Sequence, residues 1–219
     1  MSDPVFEGVY GPFSIDARDR REVLSYRLSL LVAAAAQLGL LVQWQWWGSQ
    51  LLWPWLLLLA AAIGLALQWI HVYLKALHQG LQLLWLLGCV GALVLAGSSG
   101  ASGMAEALRE QRLWILAIGP LFAALAGIGF KEFFCFRRLE AIGVTLLLPA
   151  ALLGYLGGLL QGQTTLQLMA LEATLLLVLC IRKVPMPAAA DVGDKSVFAH
   201  LEQLRQQAKC GNSAGEQAP

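Results

Sequence analysis

The sequence predicts an all-α polytopic membrane protein with six transmembrane helices and both termini on the cytoplasmic side. Apolar residues make up 58% of the 219-residue chain, charged residues make up 13%, and the mean hydropathy is +0.64. A soluble domain is about half apolar and about a quarter charged. Six long apolar stretches alternate with short connectors, and the basic residues cluster on every second connector.

Six spans of about 20 residues each require nearly all of residues 22–183, so no second globular domain is expected there. We predict a polar N-terminal segment at 1–21, the transmembrane domain at 22–183 and a cytoplasmic tail at 184–219. The N-terminal segment has a turn at Gly8–Phe13 and lacks a basic region followed by an apolar core. We therefore expect the first span to serve as an uncleaved insertion signal.

Each predicted span ends at interfacial, turn-forming or charged residues. Tryptophans at 44–47 follow the first span and suit the water–lipid interface. Pro54 lies in the first turn of the second span, where its missing amide is harmless. The Gly/Ser-rich loop 97–103 after the third span is expected to be flexible. The predicted spans are about 23–44, 51–73, 81–97, 113–130, 139–160 and 166–181.

The distribution of Lys and Arg predicts the orientation, because short cytoplasmic flanks are enriched in these residues. With six spans, thirteen of the fifteen fall on the side of the N-terminus, and only Arg109 and Arg112 fall on the other. Both termini are therefore expected to be cytoplasmic, or stromal in a thylakoid. In the tail, Val197, Leu201, Leu204 and Ala208 share a helical face behind Ser196, which predicts a short amphipathic helix.

Glu172 is the intramembrane polar candidate, because it lies near the centre of the sixth span. A charge at that depth costs from about 2.5 kcal/mol upward, so such groups face protein or water and often carry function. The functional interpretation is a proton or cation site, with Gln37, Gln68, Thr145 or Tyr155 as a partner from another span. The alternative is a protonated or hydrogen-bonded carboxyl that fixes helix packing.

His71 and His78 are candidate ligands for a porphyrin-type pigment. With Lys75 they are spaced i, i+4, i+7, which would place them on one face where the second span leaves the membrane. Seven residues separate the histidines by about 10 Å along a helix, too far to share one ion easily, so no metal site is predicted. Interfacial hydrogen bonding is the alternative role, and no cofactor is otherwise expected.

The connector Lys131–Arg138 mixes aromatic and basic residues. Lys131, Arg137 and Arg138 are predicted to meet anionic lipid or a partner protein at the cytoplasmic surface. The lipid bilayer is the expected partner in either case, a membrane protein complex is a further candidate, and nothing in the sequence indicates nucleic acid.

Small residues recur every four positions in the third, fourth and fifth spans, which lets helix backbones approach closely. We predict that the fourth and fifth spans pack tightly against each other along these stripes. The stripe of the third span is Gly88, Ala92 and Ala96, and those of the fourth and fifth are Gly119, Ala123, Gly127, Ala150, Gly154 and Gly158.

No catalytic motif stands out, so the sequence predicts a protein that is not an enzyme. Gly97–Gly100 and Gly100–Gly103 match the GxSG of six-span serine proteases, whose serine needs a histidine base from a later span. The only downstream histidine is His200, in the tail. Metalloprotease, nucleotide-binding and dinucleotide-binding motifs are also absent from the sequence.

Three stretches carry a family resemblance: residues 11–22, residues 129–140 and residues 146–154. With them the chain resembles an uncharacterised family of integral membrane proteins found mainly in cyanobacteria and plastid-bearing organisms. The resemblance covers most of residues 10–185 and implies a photosynthetic host and a thylakoid or plasma membrane. It transfers no catalytic residue, because the family's function is unknown.

Two functions follow as expectations. The first is a non-enzymatic interaction or assembly factor for a membrane complex, such as a photosynthetic complex in the host that the resemblance implies. The small-residue stripes and the basic aromatic connector favour it. The second is a small-solute or cation transporter that uses Glu172 as a proton-coupled site. Three spans plus three would give halves of inverted topology, which is a known transporter plan.

Overall fold

The fold is mostly helical in a computed structural model that describes residues 4–72 and 74–197 together with residues 200, 202–204 and 206. The chain divides into two units, one of residues 1–24 and 186–219 and the other of residues 25–185. The elements in chain order are β1 (Val5–Gly8), β2 (Gly11–Ser14), α1 (Ala17–Val42), α2 (Trp53–Trp69), α3 (Lys75–Ser99), α4 (Met104–Glu110), α5 (Ile115–Phe136), α6 (Leu139–Leu156), α7 (Gly162–Lys183) and α8 (Ala188–Val192).

The first unit contains a β-hairpin that was expected only as a turn. β1 and β2 pair antiparallel, and Phe6 stacks on Phe13 with the ring centroids 5.7 Å apart. Asp16 then caps α1, because its Oδ1 accepts the amides of Arg18 and Asp19, both at 2.8 Å. The Asp19 carboxylate accepts the Asp16 amide in return at 2.9 Å, which is the reciprocal arrangement of a capping box.

The tail of the same unit holds the hairpin turn. The Val9 amide donates to Asp194 Oδ2 at 2.7 Å, and the Tyr10 amide donates to Ser196 Oγ at 3.0 Å. The Ser196 hydroxyl donates to Asp194 Oδ1 at 2.6 Å. The Ser196 hydroxyl and the Val9 amide lower the pKa of the Asp194 carboxyl below its usual value, because they stabilise the charged form.

The long apolar helices confirm a multi-pass helical membrane protein. In the described ranges, five helical segments are long and apolar enough to cross a membrane: Ala17–Trp47, Lys75–Ser99, Arg112–Phe136, Leu139–Leu156 and Gly162–Lys183. Helix α2 is apolar too, but it has 17 residues and is shorter than these segments. Pro54 lies in its first turn, as predicted.

Two predicted connectors are largely helical. Helix α3 continues to Ser99, and the hydroxyls of Ser98 and Ser99 both donate to the Leu95 carbonyl in its last turn. Helix α4 follows after a short turn. Helix α4 was not predicted, because the Gly/Ser-rich composition before it hid the apolar pair Met104 and Ala105, which is buried. Helix α5 likewise runs through most of the predicted connector Lys131–Arg138 and ends at Phe136.

The closest backbone approach involves α3 and α5, not the predicted stripes of α5 and α6. A Cβ on Gly91 would lie 1.9 Å from the Ala117 carbonyl oxygen, and one on Gly88 would lie 2.2 Å from the Leu121 amide nitrogen. Both glycines are therefore required for this contact. Helices α5 and α6 pack against each other, as predicted, but through Gly129 against Val144 and Thr145 and not through the predicted stripes.

The stripe prediction was wrong for most of its members. Ala150 is exposed, Gly119 meets only Ile115 of its own helix, and Gly154 meets Leu160 just beyond its own helix. Gly158 lies after α6 in a left-handed turn, with φ +74°. Gly127 does serve close packing, since an added Cβ would lie 2.2 Å from Leu81 of α3, and Ala123 is half-buried on the same helix.

The predicted tail helix falls partly outside the described residues. Ser196, Val197 and the described residues from His200 to Gln206 have helical conformation, whereas Leu201 and Ala208 lie outside the described part of the chain. Tyr10 of the hairpin turn stacks on His200 with the ring centroids 4.1 Å apart.

Candidate functional site

Glu172 lies in the middle of α7 with its side chain fully buried. Gln37 of α1 is also fully buried, and its Nε2 donates a hydrogen bond to Glu172 Oε2. Among the described residues, the second oxygen of each group, Glu172 Oε1 and Gln37 Oε1, has no hydrogen-bond partner. The carboxyl–amide pair therefore contains one hydrogen bond and two unsatisfied acceptors, closed off from water.

Gln37 was one of four predicted partners for Glu172, and it is the one that bonds to it. Gln68 is exposed on α2. The Thr145 hydroxyl donates to a carbonyl of its own helix at 2.8 Å, and the Tyr155 hydroxyl donates to a carbonyl of α4 at 3.2 Å. The contact links the first and the last of the predicted spans, which are the most distant in sequence.

A cavity of about 230 Å³ lies where one end of α1, α5, α6 and α7 meets α2 and α4. Its walls are mainly aliphatic and aromatic, and the rings come from Trp44, Trp53, Phe122 and Tyr155. An apolar pocket with a few polar groups is the usual form of a small-molecule site. At this volume it fits a compact ligand, since a cavity of about 150 Å³ accommodates benzene.

The Gln37–Glu172 pair lies about one helical turn deeper than this cavity. Met169 lines the cavity and precedes Glu172 by three residues on α7, and Leu41 lines it and follows Gln37 by four residues on α1. Residues three and four apart share a helix face, and one turn rises about 5.4 Å. The pair is therefore the first polar group below the cavity on these two helices.

Arg109 and Arg112 each place a guanidinium over an aromatic ring of the cavity wall. The Arg109 guanidinium lies 5.4 Å from the ring centre of Trp44, and that of Arg112 lies 5.1 Å from the ring centre of Tyr155. Arg109 also lines the cavity and makes an exposed ion pair with Glu106 at 3.3 Å. Arg109 therefore brings a guanidinium to the cavity wall, beside the exposed carboxylate of Glu106.

A second buried polar cluster holds three helices together. Glu132 of α5 is fully buried and accepts hydrogen bonds from Tyr26 Oη of α1 at 2.6 Å, Lys131 Nζ at 3.1 Å and Lys183 Nζ of α7 at 2.5 Å. Both ammonium groups also lie within 6 Å of the ring centres of Tyr26 and Phe136. The Glu132 carboxylate thus accepts hydrogen bonds from α1, from α7 and from its own helix, α5.

Two buried contacts join α1 and α7, and they are equally spaced along both helices. Gln37 and Tyr26 are eleven residues apart on α1, and Glu172 and Lys183 are eleven residues apart on α7, in the opposite chain direction. At 1.5 Å per residue both steps measure about 16 Å. The antiparallel helices are therefore joined at two levels, with the cavity beyond the Gln37–Glu172 level.

Lys131 is a correction to the predicted docking surface. It was expected at the cytoplasmic surface, but only 5% of its surface is exposed, because α5 continues past it and it pairs with Glu132. Arg137 is exposed at the C-cap of α5, with φ 50° in the left-handed region, and Arg138 is half-buried. The predicted surface is thus reduced to the turn that contains these two arginines.

The histidines do not share a helix face as predicted. Helix α2 ends at Trp69, so His71 lies in an extended connector and His78 lies on α3. His78 Nε2 lies 2.8 Å from the Leu67 carbonyl oxygen, which is the interfacial hydrogen-bonding role given as the alternative. A pigment bound at this nitrogen would have to displace that contact.

Sequence reasoning missed the cluster around Glu132 and the cavity. Glu132 and Lys183 were treated as flanking charges, because both lie near the ends of their spans. The sequence signal that could have indicated the cluster was the pair Lys131 and Glu132 together with Tyr26 in the first span. The cavity had none, because six helices contribute to it and α4 was not predicted.

The comparisons with known proteins agree with the membrane assignment. The sequence profile of a family described as "Uncharacterized integral membrane protein (DUF2301)" matches residues 65–200. A protein of Haemophilus influenzae described as "Uncharacterized protein" is 28% identical over 204 residues, which cover 90% of this chain and 99% of that protein. None of the solved structures matches the chain significantly. The expected cyanobacterial or plastid-bearing host stays a prediction.

Proposed function

We propose that this chain, which belongs to the DUF2301 family of uncharacterized integral membrane proteins, carries a small solute across the membrane together with a proton. The observation that carries the proposal is the pair of unpartnered oxygens on Glu172 and Gln37, one helical turn below an apolar cavity. An ionisable group inside a span, facing protein, is a functional candidate by default.

A single proton completes the pair. A protonated Glu172 could donate from Oε1 to Gln37 Oε1 while Gln37 Nε2 continues to donate to Oε2, so that both oxygens become satisfied. When the proton leaves, two buried acceptors lose their partner, and each unsatisfied buried group costs about 1–3 kcal/mol. Loading and release of the proton therefore change the contact between α1 and α7.

The vertical order of the groups supports alternating access. The cavity lies beyond the Gln37–Glu172 pair at one end, and the Tyr26–Glu132–Lys183 contacts join the same helices about 16 Å away at the other. This order matches a carrier that is open at the cavity end and closed at the other. Release to the closed side requires that the cluster around Glu132 separates.

For topology we propose six spans with both termini in the cytoplasm. Helix α2 has 17 residues and a length of about 25 Å, close to the roughly 30 Å of a bilayer core. Counting it as a span keeps thirteen Lys and Arg on one side and leaves Arg109 and Arg112 on the other. The cavity then faces away from the cytoplasm. The membrane is the plasma membrane or, in a photosynthetic host, the thylakoid.

The test is proton movement in liposomes that contain the purified full-length protein and an entrapped pH dye. Small organic acids, small amines and sodium are added in turn to find a solute class that drives more proton movement than in protein-free liposomes, because the neutral forms of weak acids and amines cross a bilayer unaided. Glu172→Gln should lose this movement. Thr174→Val is the matched control and should retain it, because Thr174 is exposed on the same helix and bonds only to its own backbone.

Two results would contradict the proposal. In the first, no solute class moves protons through the native protein although it is folded and inserted. In the second, Glu172→Gln moves protons at the native rate. The second result would return Glu172 to a packing role.

A role as an interaction or assembly factor for a membrane complex is the second candidate. The turn after α5 favours it, because Arg137 is exposed there beside the largely exposed side chains of Phe134 and Leu139. Replacement of Arg137 and Arg138 by Gln should release a partner that co-purifies with the native protein in mild detergent. An unchanged set of co-purifying chains would contradict this role.

A pigment-carrying form of the second role would use His71 or His78 as an axial ligand. It predicts that protein purified from its own membranes has a visible absorption spectrum, which His71→Ala or His78→Ala removes. A colourless preparation would exclude this form while leaving protein docking open to the co-purification test.

A further inference from the structure

We infer that the cavity binds a small apolar carboxylic acid, with its carboxylate at Arg109 and its apolar part between the aromatic rings. The inference names the solute class of the proposed carrier, and only its transport step rests on that proposal. It depends on the shape, wall chemistry and charge of the cavity, which are independent of the Gln37–Glu172 pair.

The cavity wall selects an apolar ligand of limited size. Four aromatic rings line it, Leu and Met side chains supply most of the rest, and the volume is about 230 Å³. This is larger than the roughly 150 Å³ that holds benzene. One ring or a short branched chain with a single polar group fits, whereas a sugar or a nucleotide would leave many polar groups unpaired against apolar walls.

The polar edge of the cavity selects a negative group. The connectors at this end of the transmembrane domain contain two basic residues, Arg109 and Arg112, and both guanidinium groups lie over rings of the cavity wall. The two acidic residues of the same connector, Glu106 and Glu110, are exposed, and of these four charged residues Arg109 alone lines the cavity. The Arg109 side chain is about half exposed, which places its guanidinium at the mouth. A guanidinium matches a carboxylate through two parallel hydrogen bonds.

The contacts that Arg109 makes would still allow it to bind a ligand carboxylate. Its ion pair with Glu106 is long at 3.3 Å, and both side chains are at least half exposed, so a ligand carboxylate can compete for the guanidinium. Trp44, on which Arg109 stacks, has a buried Nε1 that finds no acceptor among the described residues. The same tryptophan thus holds an unused hydrogen-bond donor beside the arginine.

A carboxylate solute also suits the proton pair. If one carboxylate and the Glu172 proton move together, no net charge crosses the membrane, so the step needs no membrane potential. The acid enters at the mouth, and the group that carries the proton lies one turn deeper.

The test uses benzoate as the probe and benzamide as its uncharged counterpart of nearly equal shape. Binding to the full-length protein in lipid nanodiscs is measured by isothermal titration calorimetry. We expect benzoate to bind at least tenfold more tightly than benzamide. Arg109→Gln should weaken benzoate at least tenfold and leave benzamide unchanged, and Arg21→Gln, which removes an exposed charge in the first turns of α1, should change neither.

A second variant addresses the cavity itself. Ala105 is buried in the cavity wall, and Ala105→Leu adds three carbon atoms that should weaken both probes. Its thermal unfolding is measured beside that of the native protein, and Arg109→Gln carries the test if Ala105→Leu does not fold.

Three outcomes would overturn the inference: equal binding of benzoate and benzamide, native benzoate binding by Arg109→Gln, or no binding of either probe to folded protein. Tightly bound phospholipid that benzoate does not displace, found by mass spectrometry, would assign the cavity to lipid. Benzoate binding, when none of the solute classes drives proton movement, would leave the binding site standing and refute the carrier. Proton movement driven only by another solute class, without benzoate binding, would refute the carboxylate site alone.

Discussion

Glu172→Gln should stop proton-linked transport and leave the protein at least as stable as the native chain. The new amide can donate to Gln37 Oε1 while Gln37 Nε2 donates to its oxygen, so both groups of the pair form hydrogen bonds without a titrating proton. Relative to the ionised pair, the variant gains one net hydrogen bond, about 0.5–1.5 kcal/mol, and avoids the cost of a charge within the span, about 2.5–3.5 kcal/mol on insertion scales. Relative to the protonated pair, it forms the same two hydrogen bonds and its stability should be equal.

Glu172→Leu provides the contrast. It leaves the Gln37 amide buried with no partner, at a cost of about 1–3 kcal/mol. For a chain of this length, 1 kcal/mol corresponds to a change in Tm of about 2–4 °C. The expected order of Tm is therefore Glu172→Gln at or above the native protein, and Glu172→Leu several degrees below it.

The assay combines thermal unfolding in detergent, followed by tryptophan fluorescence, with proton movement in liposomes. Both Glu172 variants should be inactive, and only the leucine variant should be destabilised. The reasoning is refuted if Glu172→Gln unfolds at the temperature of Glu172→Leu, or if it retains native proton movement. Thr174→Val should match the native protein in both measurements.

Three further predictions concern the rest of the structure. Tyr26→Phe removes a 2.6 Å hydrogen bond to a buried carboxylate and should cost about 1.5–3 kcal/mol in thermal unfolding; an unchanged Tm would contradict the buried cluster. Gly91→Ala places a Cβ against a backbone carbonyl of α5 and should cost about 1–3 kcal/mol, whereas Gly97→Ala, which meets nothing within 4 Å, should not. The pKa of Asp194 is lowered in the folded state, so its contribution to stability exists above the usual carboxyl pKa and is lost as the pH falls through the lowered value. The protection factor of the Val9 amide, which is its hydrogen-exchange rate corrected for the intrinsic rate at each pH, should therefore fall on acidification, and an Asp194→Asn variant should lack this pH dependence.

The sequence predicted the parts of the fold that depend on composition along the chain. Long apolar runs predicted the membrane helices, and a lone carboxyl inside one of them predicted Glu172, because both signals are local. Helix ends were less predictable. Helix α5 continues beyond its apolar run because Glu132 finds partners on α1 and α7, and those partners are 106 and 51 residues away.

The candidate site could be predicted only in part for the same reason. Gln37 was one of four polar residues that the sequence offered equally as the partner of Glu172. It is the partner because of how α1 lies against α7, which the sequence does not show. Small-residue spacing was a weak guide to packing, because Gly and Ala are frequent and the spacing does not indicate which helix lies opposite. Gly91, which makes the closest approach, belongs to none of the predicted stripes.

The most direct measurement of the central claim is infrared difference spectroscopy of the native protein and Glu172→Gln during a pH titration. The account predicts a carboxylic acid carbonyl band in the native protein that appears on acidification, is missing in Glu172→Gln and shifts in Gln37→Leu, because the acid donates to the Gln37 amide. Native and Glu172→Gln spectra that coincide at every pH would show that Glu172 does not exchange a proton, and would contradict the account.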